Sequence, residues 1–218
     1  MIAIVDYGVG NLRSAQKGLE RAAAESGADL EVRVTGEAKD IERADAVVLP
    51  GVGAFGACMQ SLASSGLTDC VVDAARSGRP FLGICVGMQI LFEESEEFGR
   101  VAGLGILPGR VVRFRSQGVK IPHMGWNELR VREGMPMLDG IAQGTFYYFV
   151  HSFYAVPEDA GLLAATSVYG DEEFAAAVGR DALFATQFHP EKSQGAGIRL
   201  LENFVRRAAA PAKPAARA

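Results

Sequence analysis

The chain has 218 residues, with 22 Lys and Arg against 26 Asp and Glu and a formal charge of −4, which excludes a protein held to nucleic acid by charge alone. With 49% hydrophobic and 22% charged residues the main body is globular rather than disordered or collagen-like, and at about 100–200 residues per domain its length suits one core. No apolar run approaches the roughly 20 residues of a bilayer span, and the opening MIAIVDYG lacks the basic start of a secretory leader, so a cytoplasmic location is expected.

Ile2 to Asp6 is a short apolar run closed by a turn signal, the mark of a buried strand. Leu12, Ala15, Leu19 and Ala22 then recur at helical spacing, with Asn11 as the expected cap and Gly27 as the expected stop. Leu30 to Val34 alternates, and Ala46 to Leu49 is continuously apolar, as a strand covered on both faces would be. Helical stretches are expected at Ala57 to Ala63 and Leu67 to Arg76. Pro80 to Ile84 makes another buried strand, which runs into an expected helix from Val86 to Glu93. Repeated strand-helix alternation predicts an α/β fold with a mostly parallel, doubly wound sheet.

Beyond Gly99 the pattern turns to strand-like runs at Arg110 to Arg115, Asn127 to Val131, Phe146 to Tyr154, Leu162 to Tyr169, Phe174 to Val178 and Leu183 to Phe188. These suggest antiparallel hairpins and meanders added to the parallel part. Ile198, Leu201, Phe204 and Val205 share one face of a final amphipathic helix. Residues 1–207 are therefore expected to form one domain and 208–218, rich in Ala and Pro, a disordered tail.

Gly83-Ile84-Cys85-Val86-Gly87 has the form of a nucleophile elbow, where a buried strand turns sharply into a helix between small neighbours. Such a turn exposes Cys85 at the strand end, and the backbone N–H of Val86 is placed to meet an oxyanion. On the elbow alone, a nucleophile and an inert core thiol are equally good readings. Three cysteines, Cys58, Cys70 and Cys85, with no CxxC spacing argue against a disulfide framework and a zinc site. Cys58 and Cys70 are expected to have no catalytic role.

A nucleophilic thiol needs a base, and the base needs an orienting acceptor. His189 and Glu191 stand two apart in an extended segment, so both side chains project to one side, and Pro190 stiffens the link. Pro50-Gly51-Val52-Gly53 follows the AVVL strand at the same sheet edge, and its glycines let a peptide N–H near Val52 and Gly53 turn toward an oxyanion. Gly8-Val9-Gly10 begins a dinucleotide fingerprint, but Arg13 occupies its last glycine position, and no phosphate-binding loop is expected. His123 and His151 read as structural histidines without metal-ligand spacing, so neither a metal nor a cofactor is expected.

Gly83-Ile84-Cys85-Val86-Gly87-Met88-Gln89 with His189-Pro190-Glu191 resembles the class I, or triad, glutamine amidotransferases. Asp6 to Asn11, Pro50 to Phe55, Pro122 to Asn127, Tyr148 to Phe153 and Lys192 are similar to one branch of that family, the glutaminase subunits of imidazole glycerol phosphate synthase. The match runs from Ile2 to about Arg207; Val86 stands where Leu is usual, and Phe153 where Tyr is frequent.

The resemblance implies that Cys85 attacks the glutamine side-chain amide, that His189 relays the proton under the hold of Glu191, and that Val52, Gly53 and Val86 form the oxyanion hole. It further implies that Gln89 and Ser152 bind the α-substituents of glutamine. Asn11, Trp126, Tyr148 and Lys192 match positions at an interface with a separate cyclase subunit, a (β/α)8 barrel forming a heterodimer with the glutaminase. Ammonia would pass into that barrel for a step of histidine biosynthesis. A stand-alone cysteine hydrolase and a non-enzymatic regulatory subunit are the competing classes. The complete Cys-His-Glu set disfavours the second, and the PGVG and PHMGWN segments disfavour the first.

Overall fold

A computed structural model describes residues 1–210. The first half builds β1 (Ile2–Val5), α1 (Leu12–Ser26), β2 (Val32–Thr35), α2 (Ala38–Arg43), β3 (Ala46–Gly51), α3 (Phe55–Ser64), α4 (Thr68–Arg76), β4 (Phe81–Cys85) and the single turn α5 (Val86–Gln89). The second half adds β5 (Phe92–Ser95), β6 (Val101–Ala102), β7 (Leu107–Arg113), β8 (His123–Glu128), β9 (Arg130–Val131), β10 (Phe146–His151), β11 (Phe153–Pro157), β12 (Leu163–Tyr169), β13 (Glu172–Arg180), β14 (Leu183–Thr186) and α6 (Gln194–Ala209).

Among the described residues eight strands form the main sheet in the order β2-β1-β3-β4-β14-β13-β12-β9. Pairing is parallel from β2 through β14 and antiparallel from β14 to β9, so the expected doubly wound sheet carries a meander on one side. Every residue of β1, β3, β4 and β14 is buried, which explains their unbroken apolar runs. α1 packs with α6, and α2 with α4; right-handed crossovers put these two pairs on opposite faces. Gly27 ends α1 in the left-handed conformation at φ 69°, as its lack of a Cβ permits.

Five sequence expectations change. Asn11 occupies the cap position of α1, but its side chain makes no capping hydrogen bond. The helix expected from Val86 to Glu93 stops at Gln89. The carbonyls of Ile90, Leu91 and Phe92 accept instead from Leu104, Ile106, Leu107 and Gly105, and those tertiary bonds pull the segment into β5, against β6 and β7.

The run from Phe146 to Tyr154 is two strands, split at Ser152: β10 pairs with β8 in a two-stranded ribbon, and β11 joins a separate sheet ordered β11-β7-β5-β6. Asn127 to Val131 is likewise divided at the buried Leu129, with β8 in the ribbon and β9 at the edge of the main sheet. The final helix continues through Ala209, past the expected limit at 207. The rest of the expected tail, residues 211–218, lies outside the described residues.

Candidate active site

The carboxyl ends of β3, β4 and β14 converge on one edge of the main sheet, where open α/β sheets place their ligands. Parallel pairing sets Pro50 opposite Ile84 and Gly51 opposite Cys85. Cys85 closes β4 and caps α5 at φ 56°, ψ −114°, a backbone conformation that a side chain makes costly and that an elbow requires. The turn is possible because its neighbours lack side chains. A Cβ on Gly87 would lie 1.9 Å from the Leu49 carbonyl oxygen, and one on Gly83 would lie 2.9 Å from the Gly87 carbonyl oxygen.

His189 follows β14, and its Nδ1 lies 2.8 Å from Oε1 of Glu191, with both side chains almost fully buried. Nδ1 donates and the carboxylate accepts, so the exchangeable position is Nε2. Nε2 is buried without a hydrogen-bond partner. Burial works against a charged ring here, but the adjoining Cys85 sulfur and the Glu191 carboxylate together outweigh it and raise the His189 pKa well above the ordinary value. The segment is pinned to β10: His189 N–H donates to Tyr148 O at 3.0 Å, Tyr148 N–H donates to Ser193 Oγ at 3.0 Å, and Ser193 Oγ–H donates to His189 O at 2.6 Å.

Cys85 and His189 line one cleft of about 420 Å³ together with Val52, Gly53, Val86, Gln89, Glu97, Ser152 and Lys192. Val86, the first residue of α5, lies directly after the sulfur in the chain. Gly53 takes φ 89° with open space on its Cβ side, and Val52 is exposed. The peptide planes around them are anchored from outside the cleft, for Tyr7 Oη donates to Pro50 O at 2.7 Å and Cys58 Sγ donates to Val52 O at 3.3 Å.

Gln89 is buried, and its Nε2 donates to Phe153 O and to Gln187 Oε1, each at 2.9 Å. Both amide hydrogens are therefore engaged, and Oε1 is what Gln89 has for a ligand. Trp126 and Tyr148 are cross-strand partners with ring centroids 6.2 Å apart, and Lys192 Nζ sits 5.8 Å from the Tyr148 ring centroid. Of this aromatic-cationic group, Lys192 lines the cleft. Asn11 follows Gly10, where a Cβ would meet Pro50 at 3.3 Å, which brings this part of the chain beside the Pro50–Gly53 turn.

Three pocket features escaped the sequence reading. Gln187 Nε2 lies 3.8 Å from Cys85 Sγ; its place two residues before His189 in an extended segment put it on the same side and was the available signal. Glu97 lines the cleft and accepts from Phe55 N at 2.7 Å, at the start of α3. His123 and His151 are not separate core histidines, since Nδ1 of His123 and Nε2 of His151 lie 3.1 Å apart.

The family model described as glutamine amidotransferase class-I matches residues 4–208. The chain is 52% identical over 210 residues to the imidazole glycerol phosphate synthase subunit HisH of Syntrophotalea carbinolica, covering 94% of this chain and 98% of that protein. It is 51% identical to the subunit of the same name from Gloeobacter violaceus, covering 95% of this chain and 90% of that one. Among solved structures, one titled as a glutamine amidotransferase superposes with a TM-score of 0.71 at 21% identity, over 95% of this chain and 98% of that one. The glutaminase domain of Trypanosoma brucei CTPS, with bound acivicin, gives 0.66 at 15% identity, over 95% and 93%. At those identities the structures speak for the fold alone, but the family match and the relatives at about half identity speak for descent, and the chain belongs to the class I glutamine amidotransferases.

Proposed function

We propose that this chain is the glutaminase subunit of an imidazole glycerol phosphate synthase, releasing ammonia from glutamine for a separate cyclase subunit. The observation that carries the chemistry is the His189–Glu191 pair in the same cleft as the strained Cys85. Its place in a bienzyme rests on the similarity to the HisH subunits.

Cys85 Sγ attacks the side-chain carbonyl carbon of glutamine, and its proton passes to His189 Nε2. The tetrahedral oxyanion is met by the Val86 N–H and by an N–H of the Val52–Gly53 turn. As the carbon–nitrogen bond breaks, Nε2 returns the proton to the leaving nitrogen, giving ammonia and a γ-glutamyl thioester. Water then adds to the thioester, losing a proton to Nε2. Collapse expels the sulfur, which recovers that proton, and glutamate leaves. Glu191 holds the ring in the tautomer that keeps Nε2 free for both transfers.

Gln89 Oε1 accepts from the substrate α-ammonium, with Ser152 beside it on the rim of the cleft. Trp126, Tyr148 and Lys192 offer the aromatic and long cationic side chains that anchor interfaces, and Asn11 extends the docking face beside Pro50. The partner is a (β/α)8-barrel cyclase that receives the ammonia and forms a heterodimer over the cleft.

A glutamine-shaped diazoketone, incubated with the chain and its cyclase and followed by peptide mass mapping, tests the nucleophile. Modification at Cys85 alone is expected. Modification at Cys58 or Cys70, or none at Cys85, would contradict the assignment.

A further inference from the structure

His123 opens β8, His151 closes β10, and the two are register partners in the ribbon. Their hydrogen bonds run in one direction. His151 Nδ1 lies 2.9 Å from the Phe153 carbonyl oxygen, which only accepts, so Nδ1 carries a hydrogen. In a neutral ring Nε2 is then an acceptor, and the hydrogen in the 3.1 Å contact belongs to His123 Nδ1. His123 Nε2 in turn accepts from Asn127 Nδ2 at 3.3 Å, and the same amide donates to Val168 O at 2.8 Å, which fixes its orientation.

The chain does not end at Phe153. Its carbonyl oxygen also accepts from Gln89 Nε2, which donates its other hydrogen to Gln187 Oε1, and Gln187 Nε2 reaches the Cys85 sulfur at 3.8 Å. His123, His151, Gln89 and Gln187 are all buried, and rings of Phe114, Phe149 and Phe174 pack against both imidazoles. A second proton on either imidazole would set N–H against N–H, so the arrangement exists only with both rings neutral. Burial supports that state by holding His123 down to about 4 and His151 to about 3.

We propose that His123 and His151 are positioning residues for the glutaminase reaction: through the Phe153 carbonyl they hold Gln89, and through Gln187 they steady the Cys85 sulfur, so that the ribbon sets the geometry of the glutamine pocket. The proposal rests on the reading of Gln89 as a substrate ligand. A buried network of this kind constrains its members more than single contacts do, and its loss shows first in the binding of glutamine.

The test compares His123→Leu with His123→Asn, whose amide N–H falls near the place of the ring Nδ1–H, in glutaminase assays with the cyclase and its ligand present. Leu is expected to raise the KM for glutamine about tenfold, the size of one lost buried hydrogen bond, with a smaller change in kcat. Asn should recover most of that loss. Gln187→Met, which breaks the chain from its other end, should raise KM as well and serves if His123→Leu does not fold. An unchanged KM in His123→Leu or in Gln187→Met, or an Asn variant as impaired as Leu, would overturn the proposal. Gln89→Leu separates the premise: if it raises KM while the other variants do not, the positioning role alone fails, and if it leaves KM untouched, the reading of Gln89 fails and the proposal with it.

Discussion

Gly51 of β3 and Cys85 of β4 are register partners on adjacent parallel strands. That pairing brings the Pro50–Gly53 turn and the elbow, 34 positions apart by subtraction of their residue numbers (85 − 51), to one end of the sheet. It requires close backbone contact between β3 and α5, because a Cβ on Gly51 would lie 2.6 Å from the Gly87 nitrogen.

Gly87→Ala should therefore be disruptive. Its methyl group would fall 1.9 Å from the Leu49 carbonyl oxygen, and backbone yields less readily than a side chain. A destabilisation of about 1–3 kcal/mol is expected from overpacking, read as a lower thermal midpoint together with loss of glutaminase activity. A variant as stable and active as the parent would show that the elbow is looser than its geometry.

Glu191→Gln keeps the side-chain size but removes the charge facing His189 Nδ1. The amide oxygen can still accept, but the charge that steadies the protonated ring is gone and the amide NH2 can turn toward Nδ1 and favour the wrong tautomer, so kcat should fall by roughly 10²-fold or more, the usual worth of a positioned acid-base group, with little change in KM. Cys85→Ala should fall further, to background, while ammonia-dependent synthesis by the cyclase continues. Steady-state kinetics with glutamine and with ammonium salts separate the two effects.

Trp126 is exposed and packs its ring against Tyr148 across the ribbon. Trp126→Ala should weaken binding of the cyclase by about 2 kcal/mol or more if the ring is a central anchor, without changing the thermal midpoint of the free chain. Calorimetric titration of the cyclase measures the first quantity and a melting curve the second.

Acid should destabilise the fold through the buried histidine pair. His123 and His151 are held by burial at about 4 and about 3, against 6.5 in an unfolded chain. For His151 the bond to the Phe153 carbonyl works against burial, while like-charge repulsion from His123 and His189 adds to it. Below pH 6.5 the unfolded chain takes up protons that the folded one refuses, so this contribution is complete above that pH and is lost as pH falls toward the folded values. His189 is shifted upward from 6.5; its contribution is complete below pH 6.5, is lost as pH rises through its folded value, and does not offset the acid loss. Urea unfolding at pH 7 and pH 5 should show a lower midpoint at pH 5, and a smaller drop in His123→Asn.

The parallel strands of the first half were legible because β1, β3 and β4 are covered on both faces, and that burial writes itself as unbroken apolar runs; the parallel pairing of β14 with β4 was not, since Leu183 to Phe188 reads as one of the hairpin strands. Cys85, His189 and Glu191 were legible for a related reason: an elbow and a two-residue spacing each constrain local geometry. What was hidden depends on partners distant in sequence. Nothing local stops a helix at Gln89, since the Ile90 to Phe92 carbonyls are taken by residues 104–107. Alternation in Phe146 to Tyr154 does not reveal that Ser152 divides two sheets. The His123–His151 bond joins residues 28 apart, and only the pairing of β8 with β10 brings them together.

The most direct test of the central claim is glutamate release from glutamine by the purified chain, alone and mixed with the cyclase subunit and its ribonucleotide ligand. The account predicts negligible release alone, a rise of orders of magnitude in the mixture, and none in either condition for Cys85→Ala. Equal release with and without the partner, or release that survives loss of the Cys85 sulfur, would contradict it.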